Sequence, residues 1–144
     1  MTKLMHLRIV TPQAVLLDAE VRSVQFTGVD GSYGILPGHA PLMTATEPGP
    51  VTIQYGDGRE QRLAMTDGFA EMRDNVLTLV CEAGEKAEAI DPERARAAET
   101  RARERLSLRG SMSSEELLRA EVALRRAVMR EKVSHRSSGT SSLR

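Results

Sequence analysis

The sequence changes character near residue 85, and this change limits the possible folds more than any other feature. Before it, short segments alternate apolar and polar residues or are rich in β-branched residues, as half-buried strands are. Such segments occur at residues 4–10, 20–28, 50–56, 60–66, 69–73 and 75–82. The breaks GDG at 56–58 and DN at 74–75 tolerate the positive φ of tight hairpins. Short strands without intervening helices predict an antiparallel β-sandwich or barrel.

From Glu85 onward, alanine, glutamate and arginine dominate and glycine becomes rare, which favours helices. The first helix is expected to begin with Asp91 as its N-cap and Pro92 at its first position. Gly110 then interrupts the pattern before a second helix.

The second helix begins with Ser113 and Glu116 at the spacing of a capping box. An apolar stripe on each helix is expected to form the contact between them. The stripe comprises Leu117, Ala120, Leu124, Ala127 and Val128 on the second helix, and Ala98, Ala102 and Leu106 on the first. Small alanines opposite larger residues permit close antiparallel packing.

The sequence therefore predicts an α+β chain. An N-terminal antiparallel β-sandwich over residues 1–84 is followed by a C-terminal αα-hairpin over 85–133. The patternless segment 134–144 is expected to be a disordered tail.

Charge is distributed unevenly, although the chain has 20 basic and 20 acidic residues. Residues 1–84 carry a net charge of −4 and residues 85–144 one of +4, which predicts two modules with different partners. The overall balance gives no general attraction to nucleic acid. The single Cys81 excludes an internal disulfide and is expected to be a buried strand thiol in a reducing compartment. No stretch approaches the ~20 apolar residues of a membrane span, so direct membrane insertion is not expected.

The stretch SYGILPGHAPL, residues 32–42, lies between strand-like runs and is unusually rich in conformationally special residues. Pro37 and Pro41 fix φ and remove two N–H donors, whereas Gly34 and Gly38 allow turns that other residues cannot make. Rigid loops on sandwiches commonly present surfaces to partners. The stretch is therefore interpreted as an interface with one fixed shape.

His39 within this stretch is the first candidate for chemistry. It has no Ser, Cys or carboxylate at a spacing typical of a catalytic triad, and His6 and His135 form no ligand cluster with it. A structural or interface role is therefore favoured over catalysis or metal binding, and no metal site is expected.

Two longer motifs contain these features: GSYGILPGHAPLMT at 31–44 and MTDGFAEMRDNVLTLV at 65–80. Together with the αα-hairpin, they resemble the ε subunit of bacterial F-type ATP synthase, which corresponds to the mitochondrial δ subunit. The resemblance covers residues 4 to about 133. It departs at Asp67, where the family usually has a second glycine before Gly68.

The resemblance implies a peripheral subunit at the foot of the central stalk, on the cytoplasmic face of the bacterial cell membrane. There the sandwich binds the γ subunit on one side and the ring of c subunits below. The positions that the family motif assigns to these interfaces are Ser32, Tyr33, Pro37, Gly38 and His39 for the c ring, and Thr11 for γ. The family often has an acidic residue where this chain has Ser32.

The segment IDPERA at 90–95 fits the pattern Ile/Leu-Asp-x-x-Arg-Ala, which begins an ATP site in some members of that family. The resemblance implies ATP as a regulatory ligand, and no cofactor is required. The candidate nucleotide-binding residues are Glu85, Ile90, Asp91, Arg94, Arg101, Arg119, Arg126 and Arg130.

These arginines also have simpler interpretations, because helical Arg–Glu pairs usually form a solvated face. Two pairs fit that account, Glu115–Arg119 and Glu121–Arg125. Arg126 and Arg130 have no acidic residue three or four positions away and lie one turn apart with Arg119 on nearly the same face. Such guanidinium groups suit a polyphosphate. The alternative anion is the acidic surface of a β subunit, reached when the hairpin extends towards the α and β subunits.

The expected function is that of a non-catalytic stalk subunit of a proton-translocating ATP synthase. It would couple γ to the c ring and restrain ATP hydrolysis through its hairpin, with ATP favouring a compact hairpin. A free-standing ATP-binding sensor of the same fold is the alternative, and an enzyme that uses His39 is a third. Co-purification with γ separates the first two.

Overall fold

The computed structural model describes residues 3–139, with the backbone alone for 135–139. It divides into two compact units, one ending at Lys86 and the other beginning at Ala87. The boundary lies two residues beyond the one placed at residue 84 from composition, because a short strand follows that position.

The first unit is built from strands. In chain order they are β1 (Met5–Val10), β2 (Val15–Val21), β3 (Ser23–Gly28), β4 (Gly31–Ile35), β5 (Leu42–Thr46), β6 (Gly49–Gln54), β7 (Glu60–Met65), β8 (Gly68–Arg73), β9 (Val76–Cys81) and β10 (Gly84–Lys86). All pairs are antiparallel except β1 with β9, which is parallel.

The strands form two layers joined where β3 meets β5. One layer runs β4–β3–β6–β7–β10 and the other β5–β8–β9–β1–β2, and Gly28 opposite Thr46 is the pair that connects them. Alternate residues of both layers point inward. The side chains that are almost wholly buried are aliphatic except for Phe26, and include Met5, Leu7, Ile9, Val21, Ile35, Ile53, Leu63, Met72, Leu77 and Leu79. The thin aliphatic core matches a chain with no Trp and only two Phe.

The interpretation of the whole stretch 32–42 as a loop is wrong for its first and last residues, which lie in strands. Ser32 to Ile35 belong to β4, a hairpin partner of β3, and Leu42 begins β5. In β4, Tyr33 and Ile35 turn inward, and the residue between them is a glycine without a side chain. The sequence therefore lacks the apolar–polar alternation by which a strand is recognised. The tip loop, defined as residues 36–41, is what remains.

The second unit contains the predicted helical hairpin, α1 (Pro92–Ser107) and α2 (Ser114–Gly139), with short 3-10 turns at Ala87–Ala89 and Arg109–Ser111. Asp91 caps α1 by accepting hydrogen bonds from the backbone N–H groups of Glu93 (3.0 Å) and Arg94 (3.4 Å).

The capping box of α2 is also confirmed. The Ser113 hydroxyl accepts from the Glu116 N–H at 3.2 Å, and the Glu116 carboxylate accepts from the Ser113 N–H at 3.1 Å. These reciprocal bonds satisfy two donors that the helix start would otherwise leave unpaired.

The apolar stripes are buried or half-buried, as expected, with Ala102, Ala120 and Ala127 almost fully covered. The pattern missed three further buried apolar residues of the helices, Ala95, Met129 and Val133. The expectation of a disordered tail is wrong for residues 134–139, which continue α2. Residues 140–144 lie outside the described residues.

His6 on β1 connects this strand to its neighbour β2, which forms one edge of the layer. Its Nδ1 lies 2.9 Å from a Glu20 oxygen, and its Nε2 contacts Asp18, which also lies 3.7 Å from Arg8. The bonds to Glu20 and Asp18 raise the pKa of His6 above its ordinary value. Because the folded pKa is raised, the stabilisation is complete below the unfolded pKa of about 6.5 and is lost as pH rises through the folded pKa.

We therefore expect His6→Gln to lower the free energy of unfolding clearly at pH 6 and little at pH 9. Urea denaturation at the two pH values measures this difference, because the wild-type histidine is charged and paired only below its raised pKa. An equal loss at both pH values would show that the ion pairs contribute nothing specific.

Candidate functional site

The tip loop has one well-defined turn. Gly38 adopts φ +79°, as its placement in the motif predicted, and the N–H of His39 donates to the Leu36 carbonyl at 3.1 Å. A β-branched residue at position 38 would be strained in this conformation.

His39 is exposed, and its Nδ1 donates to the Ala40 carbonyl at 2.7 Å. In the neutral imidazole this bond makes Nδ1 the protonated nitrogen and leaves Nε2 as the acceptor. Among residues 3–134, whose side chains are described, no group of three or more His, Cys, Asp or Glu residues could hold a metal ion.

Tyr33 packs beside the turn that joins β3 to β4. Its ring stacks on Phe26 with centroids 5.4 Å apart, and its hydroxyl lies 2.8 and 2.9 Å from the two Asp30 oxygens. Between Arg22 and Glu47, Asp30 is the sole Asp, Glu, Lys or Arg in the sequence. The carboxylate beside Tyr33 is Asp30, whereas residue 32 is a serine. Sequence reasoning missed it, although its isolation was a usable signal.

An apolar row crosses the outer face of the β5–β8–β9–β1–β2 layer. Strand register places one residue of each strand side by side: Ala45, Phe69, Val80, Val10 and Val15. Phe69 and Val15 are 48% and 53% exposed. An apolar residue at every position of a row on an outer sheet face is unusual for a surface in water and indicates a binding surface.

Thr11 follows directly after this row, where the motif placed the γ-facing residue. Its hydroxyl accepts from the N–H groups of Gln13 (3.3 Å) and Ala14 (3.2 Å), which shapes the turn between β1 and β2. The sequence alone could name only Thr11 for the γ-facing side, and the structure shows that the apolar row lies next to it.

The hairpin has two flanks, and one is marked by an ion pair between the helices. Arg96 of α1 donates to Glu131 of α2 at 3.3 Å. At about 100° per residue, helical geometry places the candidate arginines on the opposite flank. This arginine flank comprises Arg94 and Arg101 of α1 and Arg119, Arg126 and Arg130 of α2. Five guanidinium groups are therefore brought to one side of the hairpin.

The arginines differ in their contacts. Arg119 bonds Glu115 at 2.7 Å, as predicted, whereas the predicted Arg125–Glu121 pair does not form in the described part of the chain. Exposed helical pairs of this kind contribute little, so the loss of one is unsurprising. Arg126 and Arg130 are each engaged in an interaction, so neither guanidinium is without a partner.

The other candidate nucleotide residues are Ile90, Asp91 and Glu85, and each has a place in the fold of its own unit. Ile90 is buried, with 5% exposure, and Asp91 is occupied in capping α1. Glu85 lies in β10 opposite Ala64, within the first unit rather than the second. Of these three residues, Ile90 and Asp91 belong to the second unit and have structural roles there.

Two family models together match nearly the whole chain. Residues 4–87 match the β-sandwich domain of the ATP synthase delta/epsilon chain, and residues 88–134 match its long α-helix domain. The chain belongs to the ATP synthase delta/epsilon family. The two matched regions meet within one residue of the boundary between the compact units.

This delta/epsilon chain has close bacterial relatives. It is 41% identical over 132 residues to the ATP synthase epsilon chain of Desulforamulus reducens, covering 92% of this chain and 98% of that one. It is 40% identical over 128 residues to that of Bacillus velezensis, covering 89% and 95%.

Solved structures show the same fold at lower identity. A chain of the Euglena gracilis mitochondrial ATP synthase (OSCP/F1/c-ring) superposes with a TM-score of 0.79 at 22% identity, covering 90% of this chain and 80% of that one. A chain of the Tetrahymena thermophila mitochondrial ATP synthase (central stalk/c-ring) gives 0.61 at 14%, covering 92% and 98%. Within residues 3–139, no helix of the delta/epsilon chain is long and apolar enough to cross a membrane.

Proposed function

We propose that this chain is the central-stalk ε subunit of a proton-translocating F-type ATP synthase. It joins γ to the c ring, catalyses no reaction itself and is peripheral on the cytoplasmic face of the bacterial membrane. The observation that carries the proposal is the presence of two separate binding surfaces, the apolar row and the tip loop, on one sandwich.

The apolar row is the surface for γ. Burying it against a partner would be favourable at about 25 cal/mol per Å² of apolar area. It lies beside Thr11, the position that the family motif assigns to γ.

The tip loop is the surface for the c ring. Pro37 and the positive φ of Gly38 restrict its conformations, so it can transmit force from a rotating ring with little deformation. The exposed His39 of this loop and Asp30, at the opposite end of β4, supply an imidazole and a negative charge for polar partner loops.

His39→Ala is expected to impair proton pumping driven by ATP while the soluble complex keeps its ATP hydrolysis. The imidazole meets the ring and takes no part in chemistry, so pumping in membrane vesicles and hydrolysis should separate. Lys86→Ala is the control and should leave both unchanged, because this exposed residue lies in β10, at the edge of its layer opposite β4. Loss of hydrolysis by the soluble His39→Ala complex would instead favour a catalytic His39.

The hairpin is proposed to inhibit ATP hydrolysis, and this role is called the brake below. In an extended form its arginine flank meets the acidic surface of the α and β subunits, and in a compact form the same flank holds ATP. ATP then favours the compact form only because it binds that form more tightly. The net charge of +4 over residues 85–144 suits both anions.

Truncation after Lys86 is expected to speed ATP hydrolysis while assembly with γ and the c ring is retained. Lys86 is the right end point because β10 pairs with β7 and completes the sandwich. Hydrolysis by complexes reconstituted with full-length and truncated chains measures the effect. Equal rates would reject the brake, and a truncated chain that fails to co-purify with γ would reject the division of roles.

The sensor alternative is favoured by the arginine flank alone. It requires no stalk, so it predicts that the native chain is isolated without γ. Affinity purification of a tagged chain from its own cells decides between the two functions.

A further inference from the structure

Asn75 connects three parts of the sandwich that are distant in sequence. It lies in the turn between β8 and β9 at φ +63°, a conformation that Asn tolerates better than most residues. Its side-chain Oδ1 accepts from the Gly38 N–H at 2.9 Å, and its Nδ2 donates to the Leu4 carbonyl at 3.0 Å. Its own carbonyl accepts from the His6 N–H at 3.1 Å.

The bond to Gly38 is the important one for the tip loop. Within the described part of the chain, it is the hydrogen bond that joins residues 36–41 to another part of the sandwich. The remaining bonds, from His39 to Leu36 and from His39 to Ala40, are internal to the loop. They define its shape but do not fix its position.

We propose that Asn75 is the positioning residue of the tip loop. Its side-chain amide holds Gly38, and therefore the neighbouring His39, at a fixed place relative to the strands. The consequence for partner binding rests on the proposed function of the loop at the c ring. Asn75 acts through Gly38, so only its acceptor oxygen is needed for this role.

Three variants of the full-length chain separate this role from a general effect on the turn. Asn75→Gly keeps a residue that accepts positive φ but removes both side-chain bonds. Asn75→Asp keeps an acceptor for Gly38 and loses the donor to Leu4. Asp74→Gly is the matched control, because Asp74 has φ +50° in the same turn.

Two readouts are measured for each variant: exchange of the Gly38 amide by NMR, and affinity for the purified c ring in detergent. In Asn75→Gly we expect about tenfold faster exchange and about tenfold weaker binding, since the Gly38 amide loses its hydrogen bond to the side chain of residue 75. Asn75→Asp and Asp74→Gly should stay near the wild type in both.

Unchanged Gly38 exchange in Asn75→Gly would overturn the proposal. Binding by Asn75→Asp that is as weak as binding by Asn75→Gly would also overturn it, since the effect would then follow the amide donor. If the wild type binds the c ring and Asn75→Gly binds equally well, the positioning role fails and the proposed function stands. If the wild type shows no affinity for the ring, the proposed function fails, and the exchange of Gly38 alone decides the positioning role.

Discussion

Gly68→Ala is expected to lower the free energy of unfolding by roughly 3 kcal/mol or more, a loss that few single substitutions cause. A Cβ at this position would lie 1.8 Å from the carbonyl oxygen of Val80 and 3.0 Å from the Cα of Cys81. These are backbone atoms of the paired strand β9, so no side-chain rotation can relieve the clash. The pairing of β8 with β9 in the middle of the layer must open instead.

Gly34→Ala is the matched control, because it adds the same methyl group to another strand. A Cβ there meets no atom within 4 Å, and the backbone is not in a conformation that requires glycine. Its stability should change by no more than about 0.5 kcal/mol. Urea denaturation of both variants measures the difference, and similar midpoints would contradict the close approach of β8 and β9.

The double substitution of Arg126 and Arg130 by alanine is expected to weaken ATP binding by about two orders of magnitude or more. Each guanidinium would lose a charge-assisted contact with phosphate, worth about 1.5–3 kcal/mol. Both residues lie on the arginine flank, one turn apart on α2. Calorimetric titration of the full-length chain with ATP measures the loss, which should grow smaller at high salt as the wild-type affinity itself falls.

Arg125→Ala controls for the removal of a helical arginine. Helical spacing places Arg125 away from the arginine flank, so its loss should change ATP affinity little. The ATP site would be rejected if the double variant bound ATP as the wild type does, or if the wild type bound no ATP at millimolar concentration. The acidic surface of the β subunit would then remain as the anion that the arginine flank binds.

The fold could be predicted from the sequence where local patterns are strong. Alternation identified β1, β3, β6, β7, β8 and β9, and the turn residues Asp74 and Asn75 have the positive φ that was expected. The strand β4 was missed because glycines interrupt its pattern. The parallel pairing of β1 with β9 was missed because the partners are distant in the chain.

The candidate sites could also be predicted only where their residues form a local sequence pattern. The tip loop and the arginines are sequence motifs, so their residues could be named in advance. The apolar row could not, since its five residues come from five strands and adjoin only once the register is known. Asn75 was read as a turn residue, and its bond to Gly38, 37 residues away, has no local signal.

Site-specific cross-linking tests the placement between γ and the c ring most directly. Cys81 is buried, and burial raises the pKa of its thiol to about 11, so it stays protonated and unreactive while an introduced cysteine is labelled. Ala40→Cys places a photoreactive label on the tip loop, and Ala45→Cys places one on the apolar row. In the intact complex, the first should cross-link to the c subunit and the second to γ. The proposed function would be contradicted if neither position cross-linked to the c subunit or to γ, whether or not the labels reached other proteins.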